Sequence, residues 1–182
     1  MRTRYRFSLL MITGIAAITT GVNAMAAESF ETLATSAGKP VVLGAGPVAV
    51  TLAPVAGDAA SLSARVATVR QDRKVYLVVK GLGTNEPPNV LYQVYLALPP
   101  GAAPKPDGPH YAGSLNFFNA VSYGEAKGGR DPRFFSFDVT NLLKTLQSSK
   151  SLGDVATVTI VPAAEPRASA KPVIGEIALV EQ

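Results

Sequence analysis

Beyond about residue 47, apolar and polar positions alternate in short bursts. Val75, Leu77 and Val79 fall on one side of a period-2 segment, Tyr92, Val94, Leu96 and Leu98 on one side of the next, and Phe135, Phe137 and Val139 on one side of another. A β-strand sends successive side chains to opposite faces, so each set marks a face turned to a core. The pattern predicts strands over Val48–Ala53, Leu62–Arg70, Lys74–Gly81, Leu91–Leu98, Ser114–Ala120, Arg133–Val139, Val155–Val161 and Val173–Val180. Between them, Asn85-Glu86-Pro87-Pro88-Asn89, Pro99-Pro100-Gly101, Pro106-Asp107-Gly108-Pro109 and Gly128-Gly129-Arg130-Asp131-Pro132 supply residues that fix or free the backbone at turns. One helix is expected, opening at Asp138 or Thr140 and running through Leu142, Leu143 and Leu146, with polar Gln147–Gly153 as its exit loop. The expected fold is all-β: an antiparallel two-sheet sandwich, jelly-roll-like, of about eight strands, one end of which the short helix closes.

The start of the chain follows another pattern. Arg2, Arg4 and Arg6 precede an apolar and small-residue run from Phe7 to about Ile18, and Val22-Asn23-Ala24 and Met25-Ala26-Ala27 offer small residues for cleavage. This reads as a signal peptide over residues 1–26 and places the mature protein outside the cytoplasm, periplasmic or extracellular. Its apolar run is too short to cross a bilayer, which takes about 20 residues, so no membrane span is expected after cleavage. Residues 27–39 are polar and small without a period and read as a flexible linker or strand lead-in; the domain proper is expected over 40–182.

Charge matters only once the leader is set aside. Removing Arg2, Arg4 and Arg6 from the seventeen Lys and Arg leaves fourteen, against thirteen Asp and Glu, so the formal charge of +4 is mostly a property of the leader. No basic run remains downstream to argue for nucleic acid. With zero cysteines, an exported domain must hold together by apolar burial alone.

The same counts restrict the chemistry. His110 is the single histidine, and Met1, Met11 and Met25 all lie in or at the edge of the leader. A zinc or copper site needs about three or four ligands with His or thiolate among them, so neither a metal nor any other cofactor is expected. A Ser-His-Asp triad would have to use His110, yet no Gly-x-Ser-x-Gly elbow is present and Ser114 sits only four residues away. Glu125, Asp131 and Asp138 are carboxylates of loops and caps, which are usually solvated. Gly44-Ala45-Gly46-Pro47 leads into a strand rather than a helix and reads as a turn, not a phosphate cradle. His110 has two readings, a loop-end residue or a contact with a partner. Most aromatics, including Phe117, Phe118, Phe134 and Phe135, are expected in the core by their alternation, whereas Tyr111 and Tyr123 flank loops and are the aromatics expected at the surface.

Three stretches taken in order carry a resemblance: Val75-Tyr76-Leu77-Val78-Val79-Lys80-Gly81-Leu82, Tyr92-Gln93-Val94-Tyr95-Leu96-Ala97-Leu98-Pro99, and His110-Tyr111-Ala112-Gly113-Ser114-Leu115-Asn116-Phe117-Phe118. With Phe135-Ser136-Phe137-Asp138-Val139-Thr140, Val158–Pro162 and Ile174–Leu179, the order resembles the C-terminal domain of tyrosinases and polyphenol oxidases. The resemblance implies a β-sandwich that in those proteins covers a helical dicopper catalytic domain. The histidine-bearing copper helices have no counterpart here, so it implies a non-catalytic domain that binds or covers a separately encoded tyrosinase-type dicopper oxidase. His110, Tyr111 and Tyr123 are the partner-binding candidates, because amphipathic aromatics dominate interface energetics. The alternative is a structural or adhesive module of the periplasm or cell surface with no enzyme partner.

Overall fold

The computed structural model describes residues 30–36, 38–55, 60–118, 120 and 134–182. These residues form β1 (Glu31–Thr35), β2 (Val41–Val42), β3 (Val48–Pro54), α1 (Leu62–Thr68), β4 (Val75–Lys80), β5 (Tyr92–Leu96), β6 (Tyr111–Leu115), β7 (Phe134–Asp138), α2 (Thr140–Ser148), β8 (Ala156–Pro162), β9 (Val173–Ile174) and β10 (Glu176–Glu181). Eight strands pair antiparallel in the order β6-β5-β8-β3-β1-β10-β4-β7, and β2 pairs with β9 apart from them.

The two edges of the large sheet come back together. A Cβ placed on Gly113 of β6 would lie 2.4 Å from Cδ1 of Phe137 on β7, so the ring of one edge strand rests on the backbone of the other. The result is a nearly closed barrel, where the sequence led us to expect two stacked sheets. The two halves are joined through β1, which pairs with β10 across a bulge between Thr32 and Ala34 and with β3 through only Ala34–Pro54 and Thr35–Ala53. A bulge and a short overlap both let a sheet bend sharply, and here they turn it back on itself.

The alternation read from the sequence holds where the strands are longest. Val75, Leu77 and Val79 are buried on β4, as are Tyr92, Val94 and Leu96 on β5. β4 pairs with β10 over six residues, from Lys80–Glu176 to Val75–Glu181, and this unbroken ladder lies beside the core residues Ile177 and Leu179.

Four expectations are corrected. Within the 27–39 segment expected as a flexible linker, Glu31–Thr35 is the central strand β1, with Leu33 and Ala34 fully buried. The expected strand Leu62–Arg70 is instead α1. Its apolar positions fit a period of two, but Leu62, Val66 and Val69 also fit one helical face, and the Ser61 hydroxyl accepts a hydrogen bond from the Ala64 amide at 3.2 Å. The expected strand Ser114–Ala120 lies three residues earlier, at β6, and ends where the Asn116 side chain accepts from the Phe118 amide at 3.0 Å. The run Val173–Val180 is split at Gly175, whose amide donates back to the Lys80 carbonyl at 3.0 Å. Gly81, at φ 68°, lies so near that a Cβ on it would sit 3.2 Å from Gly175 Cα, and both its left-handed backbone and this approach favour glycine at 81.

The expected helix is α2. Its start is tied to β4: Thr140 Oγ1 accepts from the Val75 amide at 2.9 Å, and the Val139 amide donates to the Val75 carbonyl at 2.9 Å. Leu143 and Leu146 point into the core, and α1 and α2 pack on each other, with Gln147 Nε2 donating to the Ser63 carbonyl at 3.2 Å.

Candidate functional site

Strand directions alternate through the sheet, so β6 and β7 run opposite ways and the end of β6 lies at the rim where β7 begins. Phe118, Phe134 and the loop after β4 therefore share one end of the barrel. α2, which starts directly after β7, lies at the other.

The first end holds an apolar cleft of about 320 Å³, bounded on one side by Pro87, Pro88, Val90 and Leu91 and on the other by Asn116, Phe117 and Phe118. Its proline wall is fixed from behind. Buried Thr84 donates to the carbonyls of Glu86 (2.6 Å) and Ala170 (2.9 Å), the Arg167 amide donates to the Pro88 carbonyl at 3.2 Å, and Arg167 pairs with Glu86 at 3.0 Å. Phe117 is buried, while Phe118 is 76% exposed and Leu91 51% exposed. Phe134, on the same rim, is 67% exposed. Phe118 and Phe134 thus depart from the expectation that alternation puts them in the core: in each of the pairs Phe117-Phe118 and Phe134-Phe135, adjacent side chains of an extended chain cannot both face inward. That doublet was the available signal for the exposed aromatics.

Behind Phe117 lies Tyr92, their rings meeting edge-on at 5.5 Å. The Tyr92 hydroxyl is fully buried and has no hydrogen-bond partner among the described residues, and burial raises its pKa above the ordinary phenol value.

His110 and Tyr111 sit at the opposite end of β6. The strand rises about 3.4 Å per residue, so Tyr111 and the end of β6 are separated by roughly 14 Å. His110 is half-buried, and its Nδ1 lies 3.0 Å from the Leu96 carbonyl oxygen, to which it donates. The half-buried Tyr111 ring meets Tyr95 edge-on at 5.7 Å, and its hydroxyl shares a hydrogen bond with Ser114 Oγ at 2.7 Å. Tyr95 is buried and donates to Gln93 Oε1 at 2.7 Å; burial, then the nearby Tyr111 and Asp107, raise its pKa. The structure therefore brings His110 and Tyr111 together and engages both within the fold. Tyr123, Glu125 and Asp131 lie outside the described residues.

Asp138 lies at the helix end. Its Oδ1 accepts from the Thr140 hydroxyl (2.7 Å) and amide (3.1 Å), and its Oδ2 pairs with Lys74 Nζ at 3.1 Å. The Thr140 hydroxyl, its amide and Lys74 hold the carboxyl below the usual carboxylate range against the opposing effect of burial, and the Asp138 carboxylate raises the Lys74 pKa. This is a helix-start and ion-pair arrangement. Among the described residues no three of His, Cys, Asp and Glu gather where they could hold a metal ion, and no helix is long and apolar enough to cross a membrane.

In fold the chain is similar to a latent apple tyrosinase, with 19% identity and a TM-score of 0.50, over 80% of this chain and 28% of that one. A recombinantly expressed latent aurone synthase, a polyphenol oxidase, is 20% identical with a TM-score of 0.47, over 77% of this chain and 25% of that one. The chain thus spans little more than a quarter of the length of either. No curated protein matches it in sequence. Residues 29–182 match the model of a family described as a domain of unknown function, and by that match, which takes in every strand and both helices of the barrel, the chain belongs to the DUF7868 family.

Proposed function

We propose that this domain is an exported, non-catalytic subunit that docks on a separately encoded tyrosinase-type copper oxidase and covers it. The observation that carries the reading is the open end of the barrel, where Leu91 and Phe118 stand exposed around an apolar cleft whose proline wall is fixed in advance. Aromatic and aliphatic side chains beside a preformed apolar recess are the usual anchors of a protein interface. The fold likeness to latent apple tyrosinase and the sequence resemblance to the C-terminal domain of such enzymes support the choice of partner. Docking through this end leaves His110 and Tyr111 to the fold, where their polar atoms are already engaged.

The test is an affinity capture of the tagged chain from its native exported fraction, with bound proteins identified by mass spectrometry and copper measured in the eluate. A copper oxidase recovered with the wild-type chain and lost with Phe118→Ser supports the reading. An eluate without copper protein, or one holding only envelope components, overturns it in favour of a structural module.

A further inference from the structure

Seven joins hold the eight-stranded sheet together, and all seven are backbone ladders. The eighth contact, between β6 and β7, brings the strands side by side with no ladder among the described residues. Within it the Phe137 ring covers the position where a Cβ of Gly113 would stand, with Cδ1 at 2.4 Å and Cε1 at 2.5 Å from it. An aromatic ring laid over a cross-strand glycine is a known device for steadying a sheet where backbone pairing is weak. Phe135, stacked on Phe137 with ring centroids 6.2 Å apart, supports the ring from its own strand.

From this geometry we infer that the β6–β7 seam is a built-in opening line of the barrel, latched by Phe137 over Gly113. Parting any other pair of neighbours breaks a backbone ladder; among the described residues, parting these two breaks none. Local opening follows the route that gives up least, so the seam opens ahead of the rest. Once the seam parts, β6 and β7 are each held on one side alone, by β5 and β4, so both ladders fray more readily than those of strands held on two sides.

Hydrogen–deuterium exchange of the full chain, read by mass spectrometry on peptides covering β6, β7 and β10, tests this. Phe137→Leu keeps an apolar side chain but removes the flat ring, and is expected to speed exchange in β6 and β7 alike by about tenfold or more relative to any change in β10. Phe134→Leu, on the same strand but exposed, is expected to change neither. Gly113→Ala attacks the latch from the other strand and is expected to have the same effect as Phe137→Leu. Acceleration confined to the mutated strand, or equal acceleration in β10, overturns the inference. Wild-type exchange at rising denaturant gives a check independent of any variant: β6 and β7 are expected to merge on one opening isotherm below that of β10, and separate isotherms for the two overturn the latch.

Discussion

The two ends of the barrel are built from the same strands and treated oppositely. At one, α2 is tied to β4 through Thr140, Asp138 and Lys74, and Leu143 and Leu146 complete the core. At the other, Leu91 and Phe118 remain exposed, and no described residue accepts from the Tyr92 hydroxyl. One end is capped by two helices of the chain itself, although Phe30 and Val155 stay exposed beside them. The other presents, among the described residues, an apolar cleft and a hydroxyl without an acceptor, and the proposed docking is placed there for that reason.

The sharpest way to break this contrast is to damage the closed end. Leu143→Ala removes a fully buried side chain from the helix that seals it and is expected to cost about 2–5 kcal/mol, read as a shift in the urea midpoint. A small loss would mean that α2 merely rests on the barrel. At the open end Tyr92→Phe deletes a buried hydroxyl that makes no bond, and stability is expected to rise by about 1 kcal/mol. A fall instead would reveal an acceptor held there in solution.

Asp138→Asn keeps an oxygen that accepts from Thr140 and removes only the charge paired with Lys74, so it is expected to cost less than about 1 kcal/mol near neutral pH. Because the folded state lowers the Asp138 pKa, its contribution is fully present above the ordinary carboxyl range and is lost as pH falls through the depressed folded value. The gap between wild type and variant in thermal melts should therefore close on acidification, and a gap that persists in acid would deny the carboxylate its role. The smallest effect belongs to Phe118→Ser, expected to leave stability within about 0.5 kcal/mol while abolishing partner capture. A large loss of stability would show that the exposed ring serves the fold rather than a partner.

How far the sequence carries follows the same division. β4, β8 and α2 are legible because each buries one clean face, and β5 and β7 keep the same alternation although Tyr95 is buried too and Phe135 and Phe137 are half-buried. α1 was misread because Leu62–Arg70 satisfies two periods at once, and the capping hydroxyl of Ser61 decides between them only with the structure in hand. β1 was missed because its place is set by long-range pairing with β10 and β3 and not by its own composition. His110 and Tyr111 are legible as residues beside a loop, but the sequence does not show that their polar tips bond to Leu96 and Ser114. Phe118 escaped notice because an aromatic next to an apolar strand counts as core until its neighbour Phe117 takes the inward position.

The unladdered seam also fixes what sort of addition the barrel accepts. Eight strands alternating in direction put β6 and β7, the edges without a ladder between them among the described residues, in opposite directions. A lone foreign strand slotted between them must lie parallel to one edge, whatever its sequence. Only an even number of strands keeps every neighbour antiparallel, so the natural increment of this barrel is a hairpin, from eight strands to ten.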